Sequence, residues 1–202
     1  MDSVYYNPVL AKREPSFTRS FVRENGLDRD GFGGWAFHPG MLYGSREKWW
    51  GDGGRRNSPH EGLDFLFYRN LQGTIVRLEP EARVPVMYDG TVACIVKDFL
   101  GESVFVVHTF SGCDRPLLSI YGHTLPFKDL QAGSLLQEGE ILGTLAGTSG
   151  SKAGVLPHLH ISLGWAANLE ISADLDWNKV NDPALVAVID PLPFIGSQYS
   201  LI

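Results

Sequence analysis

From residue 63 onward short apolar runs alternate with Gly, Pro, Asn and Asp clusters, a pattern that predicts strands joined by turns rather than helices. Strands are expected over 73–78, 84–87, 91–96, 104–109, 117–121, 141–146 and 158–163, with a further strand start at 64–68. In the last of the seven, Leu159, Ile161, Leu163 and Trp165 alternate with His160, Ser162 and Gly164. Side chains at i and i+2 share a face of a strand, so burying Leu159, Ile161 and Leu163 puts His158 and His160 together on the other face. The stretch 51–59 reads as loop, and no helix beyond a few turns is evident, although 182–188 has the composition to begin one.

Two imidazoles forced onto one face point to a metal. His60 follows the 51–59 loop and can fold back toward Asp64 at the strand entrance. With His160 this makes a His, Asp, His set, the three protein ligands and open position of catalytic zinc. Such a metal lowers the pKa of a bound water to roughly 7 and polarises a carbonyl. His38, in Phe-His-Pro-Gly, and His108, inside an apolar run, read instead as hydrogen-bonded structural histidines. Glu61 offers another chemistry, as the base of a helical His-Glu-x-x-His-like motif. Asp64 stands where the second histidine belongs, however, and Gly62 weakens a helix.

The blocks His60-x-x-x-Asp64, Tyr121-Gly122-His123 and His158-Leu159-His160 occur in that order, with Gly-rich turns at 139–144 and 147–150 and Ile189-Asp190-Pro191-Leu192 beyond. In these residues the chain resembles the lysostaphin-type zinc endopeptidases, or LytM-domain family, which cut peptide bonds in bacterial peptidoglycan. The resemblance runs from about Ser58 to Phe194. It implies a mainly β fold, an antiparallel β-sheet sandwich built on a duplicated hybrid motif related to biotinyl and lipoyl domains, with few short helices. It also implies that His60, Asp64 and His160 hold one Zn2+ per chain. His123 and His158 become the pair that handles protons and the oxyanion, with His158 as base and His123 as oxyanion stabiliser. The implied substrate is peptidoglycan cross-links or stem peptides, hydrolysed by a zinc-activated water, and the implied location is the cell envelope or another extracytoplasmic site. The chain departs from the family pattern at 151–157, a longer approach to the closing His-x-His, and at Ile161-Ser162-Leu163, where Phe-Glu is common.

Two readings from other classes compete. The 130–143 segment resembles the hairpin phrasing of biotinyl and lipoyl carriers, yet Lys128 follows Phe127 rather than Met, so the carrier signature is missing. The second is a zinc-binding scaffold that regulates another wall enzyme without cutting anything; activity on cross-linked peptidoglycan separates it from an enzyme, and the five intact polar residues lead us to expect that activity.

Composition narrows the partners. The 202 residues, 20% charged and 44% hydrophobic, suit one globular core with an appended subregion. Residues 1–54 are aromatic and Gly-rich and contain Trp35, Trp49 and Trp50, so they read as an N-terminal segment packed on a catalytic domain spanning 55–202. Trp49 and Trp50 either join that packing or line one wall of a substrate groove. The net charge of −6 argues against a nucleic-acid partner and against long-range attraction to anionic wall polymers. Substrate binding must then come from local groove contacts. Cys94 and Cys113 match no Cys-x-x-Cys pattern and read as two buried thiols, with a disulfide between them as the alternative. No run approaches the roughly 18 apolar residues of a membrane helix, and the first residues do not begin a signal peptide.

Overall fold

The structure is a computed structural model that describes residues 14–51, 53–147, 154–167 and 175–202. Residues 148–153, which take in most of the expected Gly-rich turn at 147–150 and the start of the long approach at 151–157, lie outside the described residues. The architecture is mainly β, as the patterning predicts.

Two sheets are described. The smaller joins β1 (Phe32–Phe37), β3 (Phe67–Asn70), β4 (Ile75–Arg77) and β13 (Tyr199–Leu201) in the order β13-β1-β3-β4. The larger runs β12 (Val186–Ile189), β11 (Leu159–Ala166), β8 (Leu117–Pro126), β7 (Glu102–His108), β6 (Gly90–Lys97) and β9 (Leu135–Leu136). β2 (Leu63–Phe65) pairs with β11, and β10 (Ile141–Leu145) bridges β8 and β5 (Arg83–Pro85). Pairing is antiparallel throughout, except that β1 and β13 run parallel.

The main core lies between these layers. It takes Leu159, Ile161, Leu163 and Trp165 from one face of β11, as the alternation predicts, together with Val104, Val106, Leu117 and Tyr121. The opposite face of the larger sheet is covered by a second cluster, in which Phe105, Leu118 and Ile120 meet Leu175 and Val180. Val180 ends the short helix α2 (Trp177–Val180), capped by the Asp176 carboxylate accepting from the Lys179 amide at 2.9 Å. With both faces covered, every residue of β11 is buried.

The N-terminal aromatics enter the main core. Helix α1 (Phe17–Glu24), which the sequence pattern did not reveal, turns Phe17 and Phe21 inward. The Trp35 ring of β1 packs edge-on against Phe65 at 4.9 Å and against Phe21 at 5.4 Å, contacts that add about 0.5–1.5 kcal/mol each beyond burial. Its indole N–H is satisfied by the Thr18 hydroxyl at 2.8 Å.

One expectation fails. The 182–188 segment does not begin a helix: the Asp182 carboxylate accepts from the Ala184 amide, closing a turn, and the chain then enters β12. Val186, Val188 and Ile189 are β-branched and find a free stretch of the β11 edge, so pairing outweighs any local helical preference. The structural reading of the lone histidines holds: His108 Nε2 lies 2.7 Å from the Ser119 hydroxyl and Nδ1 3.0 Å from the Asp89 carbonyl, while His38 Nδ1 lies 3.1 Å from the Ile202 carbonyl.

Candidate metal centre

The register of β11 assembles the site. His160 stands directly opposite Asp64 of β2 on one side and Gly122 of β8 on the other. Small residues make this approach possible: a Cβ on Gly62 would lie 2.6 Å from His160 Nε2, and one on Gly122 would lie 3.3 Å from the His160 Cβ. His60 arrives from the opposite direction, anchored by its amide to the Ser45 carbonyl at 2.8 Å and by its carbonyl to the Gly44 amide at 2.8 Å. Because Leu63–Phe65 is strand, the helical His-Glu-x-x-His reading of Glu61 does not survive.

The three expected ligand residues converge. Their ligand atoms lie within 4.8 Å of one another, so this group could hold a metal ion. Asp64 Oδ1 is 3.2 Å from His60 Nε2 and 2.8 Å from His160 Nδ1, and the two nitrogens are 3.1 Å apart. The far nitrogen of each ring is also held. His60 Nδ1 meets the Leu42 carbonyl at 3.1 Å, and His160 Nε2 meets the Ser162 hydroxyl at 2.8 Å. The Leu42 carbonyl only accepts, so His60 Nδ1 donates and the neutral ring turns its Nε2 lone pair to the site, whereas the Ser162 hydroxyl fits either tautomer of His160, whose Nδ1 can reach a cation only when unprotonated. The donor set, two imidazoles and a carboxylate, is one that zinc accepts.

Asp64 is 2% exposed. Burial would raise its carboxyl pKa, but the neighbouring charges of His60 and His158 and hydrogen bonds from His160 and His60 outweigh burial and hold it well below the usual carboxylate range. Its second oxygen, Oδ2, accepts the Trp49 indole N–H at 2.6 Å and lies 3.5 Å from an Arg56 guanidinium nitrogen. Neither contact is visible in sequence spacing, and together they turn Oδ1 toward the imidazoles.

His158 and His123 form the adjacent pair, with ring centroids 4.7 Å apart. His158 Nδ1 lies 2.8 Å from the Leu156 carbonyl, which accepts its proton and leaves Nε2 with a free lone pair 3.7 Å from Asp64 Oδ1. Burial pushes the His158 pKa down to about 4, against the opposing pull of Asp64. His123 reaches the same space by a backbone irregularity. Tyr121 points into the core, so strict alternation along β8 would send His123 there too. A bulge opposite Ser103 breaks the alternation, and His123 takes a left-handed φ of 62°.

Asp98 holds that irregular turn. Its Oδ2 accepts the His123 amide at 2.8 Å and the Ser103 hydroxyl at 2.7 Å, while Oδ1 accepts the Gly101 amide at 2.7 Å. Burial would raise the Asp98 carboxyl, but hydrogen bonding and charge from His123 and the Ser103 hydroxyl hold it well below the usual range. His123 Nδ1 approaches Asp98 Oδ1 at 3.2 Å, though without the direction of a hydrogen bond, and is left without a hydrogen-bond partner among the described residues. The sequence offered one cue to Asp98, an Asp followed three residues later by Gly101 in a turn.

All five residues line one cleft of about 460 Å³, together with Trp50, Phe99, Trp177 and the charged side chains Lys48, Arg55, Arg56, Glu61 and Asp98. One wall is a flap spanning 46–56. The Arg56 amide bonds the Arg46 carbonyl at 2.7 Å, Lys48 bonds the Gly54 carbonyl at 2.9 Å, and Gly51, Gly53 and Gly54 turn the tip with positive φ.

No family model matches the chain, and no curated protein matches it. Among solved structures it is similar to the catalytic domain of the antimicrobial peptidase lysostaphin from Staphylococcus simulans, with 16% identity, a TM-score of 0.43 and coverage of 82% of this chain and 88% of that one. An NMR solution structure of lysostaphin aligns at 17% identity and a TM-score of 0.45, over 80% of this chain and 57% of that chain. A further structure of the Staphylococcus simulans peptidase gives 16%, 0.45, 82% and 55% in the same order. No helix among the described residues is long and apolar enough to cross a membrane.

Proposed function

We propose that this protein is a zinc-dependent metalloendopeptidase that hydrolyses peptide bonds in the cross-links or stem peptides of peptidoglycan, working in the cell envelope. One observation carries the hydrolase reading. His60 Nε2, Asp64 Oδ1 and His160 Nδ1 converge within 4.8 Å of one another, directly beside the paired rings of His158 and His123. Peptidoglycan as substrate rests on the three sequence blocks and their order.

His60, Asp64 and His160 would hold the zinc. When bound, zinc supplies the Lewis acidity that acidifies water and polarises a peptide carbonyl. The remaining work falls to side chains. His158 is neutral near pH 7 and offers Nε2, so it takes the proton of the attacking water and returns it to the departing amine. His123 donates to the developing oxyanion from the position its left-handed turn fixes. Trp49, through Asp64 Oδ2, and Ser162, through His160 Nε2, orient the ligands.

Metal analysis of the purified protein, followed by mass spectrometry of muropeptides after digestion of cross-linked peptidoglycan, tests this. One zinc per chain and newly freed peptide amines are expected. A chain that takes up no zinc when refilled overturns the metalloenzyme, and zinc uptake with no cleavage leaves the regulatory scaffold.

A further inference from the structure

We propose that the flap wall of the cleft is a carboxylate-binding subsite, formed by Lys48 and Arg55, that takes a free carboxylate of an acidic peptide close to the bond being cut. The inference rests on the peptidase reading and names the kind of peptide that site selects.

The chain carries a net charge of −6, yet the flap side of the cleft contributes Lys48, Arg55 and Arg56 to the lining. The flap's pairing brings the first two together. Glu47 stands opposite Arg55 and the Lys48 amide bonds the Gly54 carbonyl at 2.9 Å, so Lys48 and Arg55 are diagonal neighbours on facing halves of the hairpin, and both, unlike Glu47, line the cleft. Both are exposed, and among the described residues neither side chain is paired with a carboxylate. Arg56 is committed elsewhere. Its guanidinium donates to the Gly40 carbonyl at 2.7 Å and to the Glu47 carbonyl, sits 3.5 Å from Asp64 and lies over the Trp50 ring at 4.6 Å. Arg56 therefore stiffens the flap, and Lys48 and Arg55 are left to meet a ligand. The acidic lining groups do not cancel them: Asp98 is bound to His123 and Ser103, and the charge of Glu61 is set against Arg56.

Both cationic side chains line the same cleft, where an anion is drawn to them and an arginine fork matches a carboxylate. The rest of the surface supplies no long-range attraction for an anionic substrate, so these two side chains supply it locally.

The test compares soluble peptidoglycan fragments with free carboxylates against the same fragments converted to primary amides, using the zinc-loaded full chain. The free acids should be cut with roughly 3- to 30-fold higher kcat/KM, the reach of two partly exposed ion pairs. The preference should shrink in high salt as the charges are screened. Lys48→Gln with Arg55→Gln should bring the ratio to near one, whereas Arg29→Gln with Arg77→Gln, the same charge change outside the cleft, should leave it as it was. Equal cutting of both forms by the unaltered chain overturns the subsite, as does a preference that survives the Lys48/Arg55 double substitution. If neither form is cut, calorimetric dissociation constants for the two forms take the place of kinetics. An acid preference lost in the double variant would then keep the subsite while the peptidase reading falls, and equal constants would overturn the subsite as well.

Discussion

The floor of the cleft and its flap wall are built on opposite principles. The floor is β11 and β8, neighbours inside the larger sheet, with His158 at 3% and His160 at 5% exposure and backbone ladders on either side. Among the described residues the flap is an exposed hairpin with one bridge, a few backbone bonds and three glycines at positive φ. Chemistry needs donor atoms held within a fraction of an ångström, which paired strands provide, while selection among substrates tolerates and exploits a loop. The two regions meet most closely at Trp49, which leaves the flap to bond the Asp64 carboxylate and to pack edge-on against His158 at 4.9 Å, with Arg56 beside the same carboxylate at 3.5 Å.

The sharpest way to break this division is to remove floor residues. Asp64→Ala or His160→Ala should lose zinc and activity together, because each deletes a proposed ligand. His158→Ala and His123→Ala should keep zinc and lose on the order of 10² to 10⁴ in rate, the worth of a general base or an oxyanion donor. Metal content and kcat measured on the same preparations decide the matter. If Glu61→Gln abolished turnover while His158→Ala spared it, the proton chemistry would belong to the entrance loop rather than to the floor.

How far the sequence reaches differs between the same two regions. His158 and His160 were legible because a strand alternates with period two and Leu159 must be buried, so spacing alone brings them together. The convergence of His60 with Asp64 needed only a loop and a strand entrance. His123 was legible as part of a block but not as geometry, since its direction depends on a bulge and on Asp98, twenty-five positions away. Helix α1 escaped because only Phe17 and Phe21 mark its inner face clearly, and propensity over so short a stretch is a weak signal. At 182–188 the β-branched residues pair with an edge that only the folded sheet supplies. For the flap, composition announced a loop and aromatic rings, but not that one tryptophan would turn to the ligand carboxylate and the other to an arginine.

A second prediction concerns the protonation of the floor. In the unfolded chain His158 titrates near 6.5, and in the folded protein its pKa is pushed down to about 4. A depressed pKa contributes stability that is present above the unfolded value and is lost as pH falls through this window, because the unfolded chain takes up the proton first. Metal-free protein should therefore lose stability on the order of 3 kcal/mol between about pH 6.5 and 4, from roughly 1.4 kcal/mol per pH unit. The carboxylates of Asp64 and Asp98 are also depressed, so their contributions disappear at still lower pH. Melting temperatures in chelator should show this slope for the unaltered chain and a flatter one for His158→Gln. Equal slopes would mean that His158 is not the buried neutral base.

The smallest expected effect probes the seam between the regions. Trp49→Phe keeps a ring against His158 but removes the indole N–H that Asp64 Oδ2 accepts. Outer-sphere partners of a ligand typically contribute about 10- to 100-fold in metal affinity. Because Arg56 still lies beside the same oxygen, the loss here should sit near the lower end, about tenfold in zinc dissociation constant by competitive chelation. Trp50→Ala should do the reverse. Its ring lines the cleft over Arg56 without touching the ligand set, so KM should rise while zinc affinity stays unchanged, the signature of contacts made equally in ground and transition states. If Trp49→Phe leaves zinc affinity untouched, the flap plays no part in holding the metal, and floor and wall are independent after all.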